Sequence, residues 1–215
     1  MHPYPPYPKN RMHPNFFYLL HFRNYWMRVM PDIRIKIFPG VYEPSDDSYM
    51  LIEAIDVKGD EKVLDMGCGS GIVALHLAKS GCDVVAVDVN DRAVENTMFN
   101  AKSNELKIKC MKSDLFENID GKFDIITFNP PYLPTEGEDK AWDGGERGRK
   151  VIDRFLRDAW RYLTEDGKIY MVMSSFTDVD GVMECYKKIY SFKILKQKHI
   201  FFETIYVFEI TRKER

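Results

Sequence analysis

The stretch Val63-Leu64-Asp65-Met66-Gly67-Cys68-Gly69-Ser70-Gly71 constrains the fold more than any other part of the chain. Its apolar half reads as a buried strand, and glycines at alternate positions allow a tight turn that opens a helix. Units of this kind build open parallel sheets. The rest of the chain repeats the alternation. Helices are predicted over Ser45–Ile55, with Met50, Leu51, Ala54 and Ile55 at helical spacing, and over Ile72–Lys79, Asp91–Ser103 and Lys150–Leu163. Strands are predicted at Lys62–Met66, Asp83–Val87, Lys107–Met111, Phe123–Phe128 and Ile169–Met173. The tail breaks the pattern. Phe192–Leu195 and Thr204–Thr211 follow one another with no long helix between them, which predicts an antiparallel hairpin at a sheet edge. The expected fold is α/β, a doubly wound, mostly parallel seven-stranded sheet ending in that hairpin.

At 215 residues and 45% hydrophobic content, the chain supports one sizeable core, and residues 31–215 read as that domain. Residues 1–30 mix proline and aromatic residues without a period and read as an extension. Either they precede a start at Met30, or they form a proline-rich arm docking through Phe16, Phe17, Tyr18 and Trp26. A formal net charge of −2 gives no global basic field for sequence-independent binding to phosphates. Cys68, Cys82, Cys110 and Cys185 are scattered without zinc or disulfide spacing, which points to a reducing, cytoplasmic setting and no metal. No apolar run approaches the roughly 20 residues of a membrane span.

Gly67, Gly69 and Gly71 let a ligand lie close to the N-terminus of the following helix. That spacing suits a dinucleotide as well as S-adenosyl-L-methionine. Asp88, at the end of the next strand, suits the ribose hydroxyls of either. Asp65 discriminates, because a carboxylate before the first glycine repels a pyrophosphate and attracts the ammonium of S-adenosylmethionine.

A second motif, Asn129-Pro130-Pro131-Tyr132, closes the apolar run Phe123–Phe128. The first proline donates no N–H and the second fixes φ, so the chain turns and leaves the Asn129 side chain and nearby carbonyls facing outward. Such acceptors suit a planar NH2 group, a glutamine amide or the exocyclic amine of a base, with Tyr132 as a flat stacking face. An ordinary proline turn would use the same residues. Its place after a donor-binding pattern favours the functional reading.

With Asp65–Gly71 in the donor-loop position and Asp88 in the ribose position, the chain resembles the class I S-adenosylmethionine-dependent methyltransferases, whose fold is Rossmann-like. In that resemblance Asp114-Leu115 is the adenine-binding pair; the residues alone read equally as a loop aspartate and a core leucine. The Asn129–Tyr132 motif resembles that of methyltransferases acting on planar nitrogen. Val41-Tyr42-Glu43-Pro44-Ser45-Asp46-Asp47-Ser48, and the run from Trp142 to Phe155, narrow the likeness to the short archaeal and eukaryotic branch of HemK-related glutamine methyltransferases.

The resemblance implies methyl transfer to the glutamine of a Gly-Gly-Gln motif in a translation termination (release) factor, with S-adenosyl-L-homocysteine as product. It makes Asn129, Pro130 and Tyr132 catalytic, groups them with Pro131 around the substrate, and counts Asn129 also among the donor contacts. It places Val41–Ser48 as a lid whose donor contacts are Glu43 and Ser48. It further implies a small zinc-binding activator protein forming a heterodimer. The bacterial branch carries a helical recognition domain where this chain has its proline-rich segment. Plain readings stand beside these. Glu43-Pro44 suits an extended lead into a helix capped by Ser45, with Asp46 and Asp47 in its first turn. The glycines after Trp142 suit a mobile wall, and Arg147 and Arg149 read as solvated charges rather than catalytic groups.

Two rivals remain at this level. An amino-methyltransferase for adenine or guanine in DNA or RNA would stack a flipped base on Tyr132, and Lys187, Lys188, Lys193, Lys196 and Lys198 lend it a basic tail. A noncatalytic partner would bind the donor without turning it over. His76 and His199 read as structural.

Overall fold

The computed structural model describes residues 33–131, 149–200 and 202–213. Tyr132, the segment from Trp142 to Gly148 and the proline-rich extension lie outside them.

An extended stretch, residues 33–38, leads to helix α1 (Asp46–Ala54). Strand β1 (Lys62–Met66), helix α2 (Ile72–Lys79), strand β2 (Asp83–Asp88), helix α3 (Asp91–Ser103) and strands β3 (Ile108–Lys112) and β4 (Phe123–Phe128) follow. Helix α4 (Lys150–Ala159), strand β5 (Leu163–Ser174), a 3-10 turn (Ser175–Thr177), helix α5 (Val179–Tyr186) and strands β6 (Tyr190–Ile200) and β7 (Glu203–Arg212) complete the order.

The seven strands form one sheet in the order β3-β2-β1-β4-β5-β7-β6. Strands β1 to β5 run parallel; β7 lies antiparallel between β5 and β6, so the tail is an edge hairpin as its sequence predicts. Val63, Leu64, Ile126 and Ile169 are fully buried, as central parallel strands covered on both faces require. Ile152, Phe155, Leu156 and Ala159 of α4 join the core with Phe128 of β4 and Met171 and Met173 of β5. Wound this way, the parallel strands deliver their carboxyl ends to one edge, and the order reverses between β1 and β4.

Three sequence expectations are corrected. The helix predicted to Leu163 ends at Ala159 because the Tyr190 hydroxyl accepts from Trp160 N at 2.9 Å and donates to Leu156 O at 2.8 Å. Leu163 instead starts β5, paired with Phe123. Helix α5, absent from the sequence reading, is started by Asp178, whose side chain accepts from Gly181 N.

Candidate active site

At the switch point, the loop from Gly67 to Gly71 leaves β1 beneath the end of β4. Gly71 has φ +84, and a Cβ there would stand 2.8 Å from Thr97 Cγ2, so α2 and α3 meet only through a residue without a side chain. Gly69, at φ +55, has open space where its Cβ would be. The loop is tied down from behind: Cys68 N donates to Val87 O at 2.9 Å, Gly69 N to Asp88 Oδ2 at 3.0 Å, and Thr97 Oγ1 to Gly69 O at 3.1 Å.

Asp65 stands opposite Thr127 in the parallel register of β1 and β4 and accepts from its hydroxyl at 2.7 Å. The carboxyl is buried, and its Oδ2 has no partner. Burial lifts its pKa to about 7; the Thr127 bond opposes the rise and the Asp88 charge adds to it. Asp88, half-buried, accepts from Gly69 N with Oδ2 and from Asn90 N at 2.9 Å with Oδ1. Burial raises its pKa, opposed by those backbone bonds. Beyond β3, Asp114 pairs with Arg154 of α4 at 3.0 Å, and Leu115, in the left-handed region at φ 51, packs partly buried against the core.

After β4, the Asn129 amide reaches Ser48 Oγ at 3.5 Å through Nδ2, and its Oδ1 is buried with no partner. Pro130 is buried and Pro131 half-buried. Ser48 belongs to a polar network at the start of α1. Its hydroxyl donates to Asp47 Oδ1 at 3.1 Å, and the Tyr42 hydroxyl donates to Asp47 Oδ2 at 2.8 Å. Burial and the Asp47 charge push the Tyr42 pKa up, keeping the phenol a donor. Ser45 holds the N-cap position, yet its hydroxyl turns to Asp47 rather than to helix amides. Glu43 is exposed.

The structure therefore gathers Asp65, the three glycines, Asp88, Asn129, Pro130 and Ser48 near the carboxyl edge, while Tyr132 lies outside the described residues. Sequence reasoning missed Thr127 and the Tyr42–Asp47 pair. Thr127 shows itself only through strand register. His76 sits in the last turn of α2, its pKa lowered by burial, and His199 is exposed in β6 against Thr204 Oγ1 at 3.1 Å. Arg149 is not the solvated charge expected: its side chain is 17% exposed and bridges Asp153 and Asp178, tying α4 to the cap of α5. The basic tail is largely neutralised. Lys196 meets Glu53 at 2.7 Å, Lys198 meets Asp46 at 2.8 Å, Lys193 approaches Glu209 at 4.0 Å, and Lys187 pairs with Glu184.

A parallel sheet of this order, with a glycine loop and two carboxylates at its switch point, is the architecture of a Rossmann-like methyltransferase. The methyltransferase small domain family matches residues 33–202, and the chain belongs to that family. A protein of Methanocaldococcus jannaschii named as a candidate N5-glutamine methyltransferase is 44% identical over 154 residues, 67% of this chain and 78% of its own. The methyltransferase HEMK2 of Mus musculus is 33% identical over 63% of this chain and 72% of its own. Among solved structures, the E. cuniculi Mtq2–Trm112 complex, responsible for methylation of the eRF1 translation termination factor, contains a similar chain. It is 30% identical with a TM-score of 0.66, covering 80% of this chain and 99% of that one.

Proposed function

We propose that this chain transfers the methyl group of S-adenosyl-L-methionine to the side-chain amide nitrogen of a glutamine, in the Gly-Gly-Gln motif of a translation termination factor. The observation that carries the reading is Asn129 Oδ1, a buried acceptor without a partner beside the glycine loop. Leaving such a group unsatisfied costs about 1–3 kcal/mol, and an N–H of the substrate amide offsets that cost. The names of the similar proteins supply the choice of glutamine and of a termination factor as substrate.

The residues present fit the donor. Asp65 Oδ2, also buried without a partner, suits its ammonium, and the open space at Gly69 admits a close chain. Each Asp88 oxygen keeps a lone pair for a ribose hydroxyl. Asp114 and Leu115 suit the adenine, Gly67 and Gly71 shape the loop, and Glu43 and Ser48 complete the set. Bound S-adenosylmethionine supplies a methyl group on a sulfonium sulfur and leaves as S-adenosyl-L-homocysteine.

An amide nitrogen is a poor nucleophile because its lone pair is delocalised, so orientation carries much of the work. Asn129 Oδ1 and the Pro130 carbonyl accept the two amide N–H groups, Ser48 steadies the Asn129 amide, and Tyr132 stacks on the planar group. Positive charge developing on the amide nitrogen during methyl transfer would be stabilised by these two acceptors, Asn129 Oδ1 and the Pro130 carbonyl. The methylated nitrogen is acidic and gives one proton to water, so no histidine or cysteine base is required.

In this reading residues 31–215 are the catalytic domain and residues 1–30 an extension before it. All four cysteines are free thiols, which supports a cytoplasmic site of action beside the translation machinery. No helix among the described residues is long and apolar enough to cross a membrane. The Mtq2–Trm112 complex supports a partner protein for this chain, which we take to be the small zinc-binding activator that the family resemblance implies; among the described residues its place is the outer edge of β3, where the neighbouring α3 carries Met98 and Phe99, 55% and 43% exposed.

The test is incubation with labelled S-adenosylmethionine and either termination factor or nucleic acid, with and without the activator, and mass spectrometry of the product. Label on the Gly-Gly-Gln glutamine, lost on Gln→Ala substitution, is expected. Label on a base amine alone, or donor binding with no transfer, overturns the reading.

A further inference from the structure

Asn96 and Asn100 of α3 and Asn104 at its C-cap stand four residues apart, and all three aim their amides at the backbone of the extended strap 33–38. Asn96 Oδ1 accepts from Phe38 N at 2.7 Å, Asn100 Oδ1 from Lys36 N at 2.9 Å, and Asn104 Oδ1 from Arg34 N at 2.9 Å. In return Asn96 and Asn100 donate to Lys36 O at 2.7 and 3.0 Å, and Asn104 donates to Arg34 O at 2.7 Å. The fit is metric. Four helical residues rise about 6 Å, close to the roughly 6.6 Å that two extended residues span. One helix face thereby acts as a pairing edge for an antiparallel strap.

Asn100 differs from the other two. Asn96 is just as buried, but of the three only Asn100 also reaches the glycine loop, its second N–H donating to Ser70 O at 2.9 Å. A single amide therefore holds the strap and the loop together. The strap continues through Val41, which hydrogen-bonds back to Phe38 O at 3.1 Å, into the Tyr42–Asp47–Ser48 network that reaches Asn129. The far end of this path is the acceptor amide.

The geometry points to Asn100 as a positioning residue that couples seating of the strap to the shape of the donor loop, so that donor binding and ordering of residues 33–48 are one event. The inference rests on the reading that the Gly67–Gly71 loop holds S-adenosylmethionine. Asn104, which touches the strap and its own helix but not the loop, supplies the control.

The experiment compares the full-length wild type with Asn100→Ala, Asn104→Ala and Lys36→Pro. The last removes the strap N–H that Asn100 accepts and leaves the Asn100–Ser70 bond untouched, so it reports even if Asn100→Ala fails to fold. Calorimetric titration with S-adenosylmethionine, hydrogen exchange at the Arg34, Lys36 and Phe38 amides, and kcat against KM are measured together. Asn100→Ala and Lys36→Pro are expected to weaken donor affinity about tenfold, the effect of losing one or two hydrogen bonds. They raise the donor KM to match, with kcat at saturating donor within about twofold. Donor addition slows exchange of the three strap amides in the wild type and not in Lys36→Pro at the two that remain. Wild-type affinity in Lys36→Pro, an equal loss in Asn104→Ala, or strap amides blind to the donor overturns the coupling. A wild type that does not bind S-adenosylmethionine overturns the donor reading itself, and the coupling with it.

Discussion

At Asn129 the side-chain amide divides its work, Nδ2 toward Ser48 Oγ at 3.5 Å and Oδ1 buried with no donor. Asn129→Ala removes the acceptor with little change to the strand that presents it. We expect kcat to fall about 10² to 10³, as for other preorganised hydrogen bonds, with the donor still bound by calorimetry; near-full turnover would sink the acceptor role. Asp65 makes a prediction of a different kind, about pH. Its folded pKa of about 7 lies above the ordinary 3.8, so the empty folded protein holds this proton more tightly than the unfolded chain. The stability it contributes is full below about pH 4 and is lost as pH rises through about 7. An ammonium partner reverses the preference by favouring the carboxylate. Donor affinity should therefore rise with pH toward 7, about fivefold weaker at pH 6 than at pH 7. Asp65→Asn should flatten that slope, and a flat wild-type profile would show that Asp65 does not face the donor's charge.

Elements whose signals are local were legible in the sequence: β1, α2, α3 and β4 run from Lys62 to Met66, Ile72 to Lys79, Asp91 to Ser103 and Phe123 to Phe128, as predicted. Boundaries set from a distance were not. The end of α4 is decided by Tyr190, 30 residues beyond Trp160, whose hydroxyl inserts between Leu156 O and Trp160 N. No pattern within Lys150–Leu163 reports that. The site divides the same way, since Asp65, Asp88 and Asn129 lie in motifs while Thr127 gains meaning only from its register with Asp65. The asparagine ladder is an intermediate case: its spacing was written in the sequence, but the strap it pairs with carries no signal of its own. Tyr190→Phe tests the long-range stop. With the Leu156 carbonyl and the Trp160 N–H both losing that hydroxyl, it should cost about 1–3 kcal/mol and lower Tm by about 2–12 °C for a chain of this size. A shift below about 1 °C in thermal unfolding would mean that water replaces the hydroxyl.

The two edges of the sheet are unlike, one lined with ion-paired lysines and the other short and partly apolar. The β6 edge carries Lys193, Lys196 and Lys198, each opposite a carboxylate, a charged margin that discourages strand addition. The β3 edge is short, Ile108–Lys112, half-buried at Ile108, Cys110 and Met111 and exposed at Lys109 and Lys112, and the neighbouring α3 exposes Met98 and Phe99. A net charge of −2 gives little repulsion to protect such apolar surface from self-association. If a small zinc-binding activator covers this edge, Met98→Glu should abolish the heterodimer in size-exclusion chromatography, because a carboxylate would be buried without a partner. The same variant should leave S-adenosylmethionine affinity unchanged, since Met98 lies on the exposed face of α3, away from the Asn100 contact with the loop. Wild-type assembly by Met98→Glu would move the docking surface away from β3. Loss of donor binding together with assembly would instead show that the edge and the glycine loop fold as one unit.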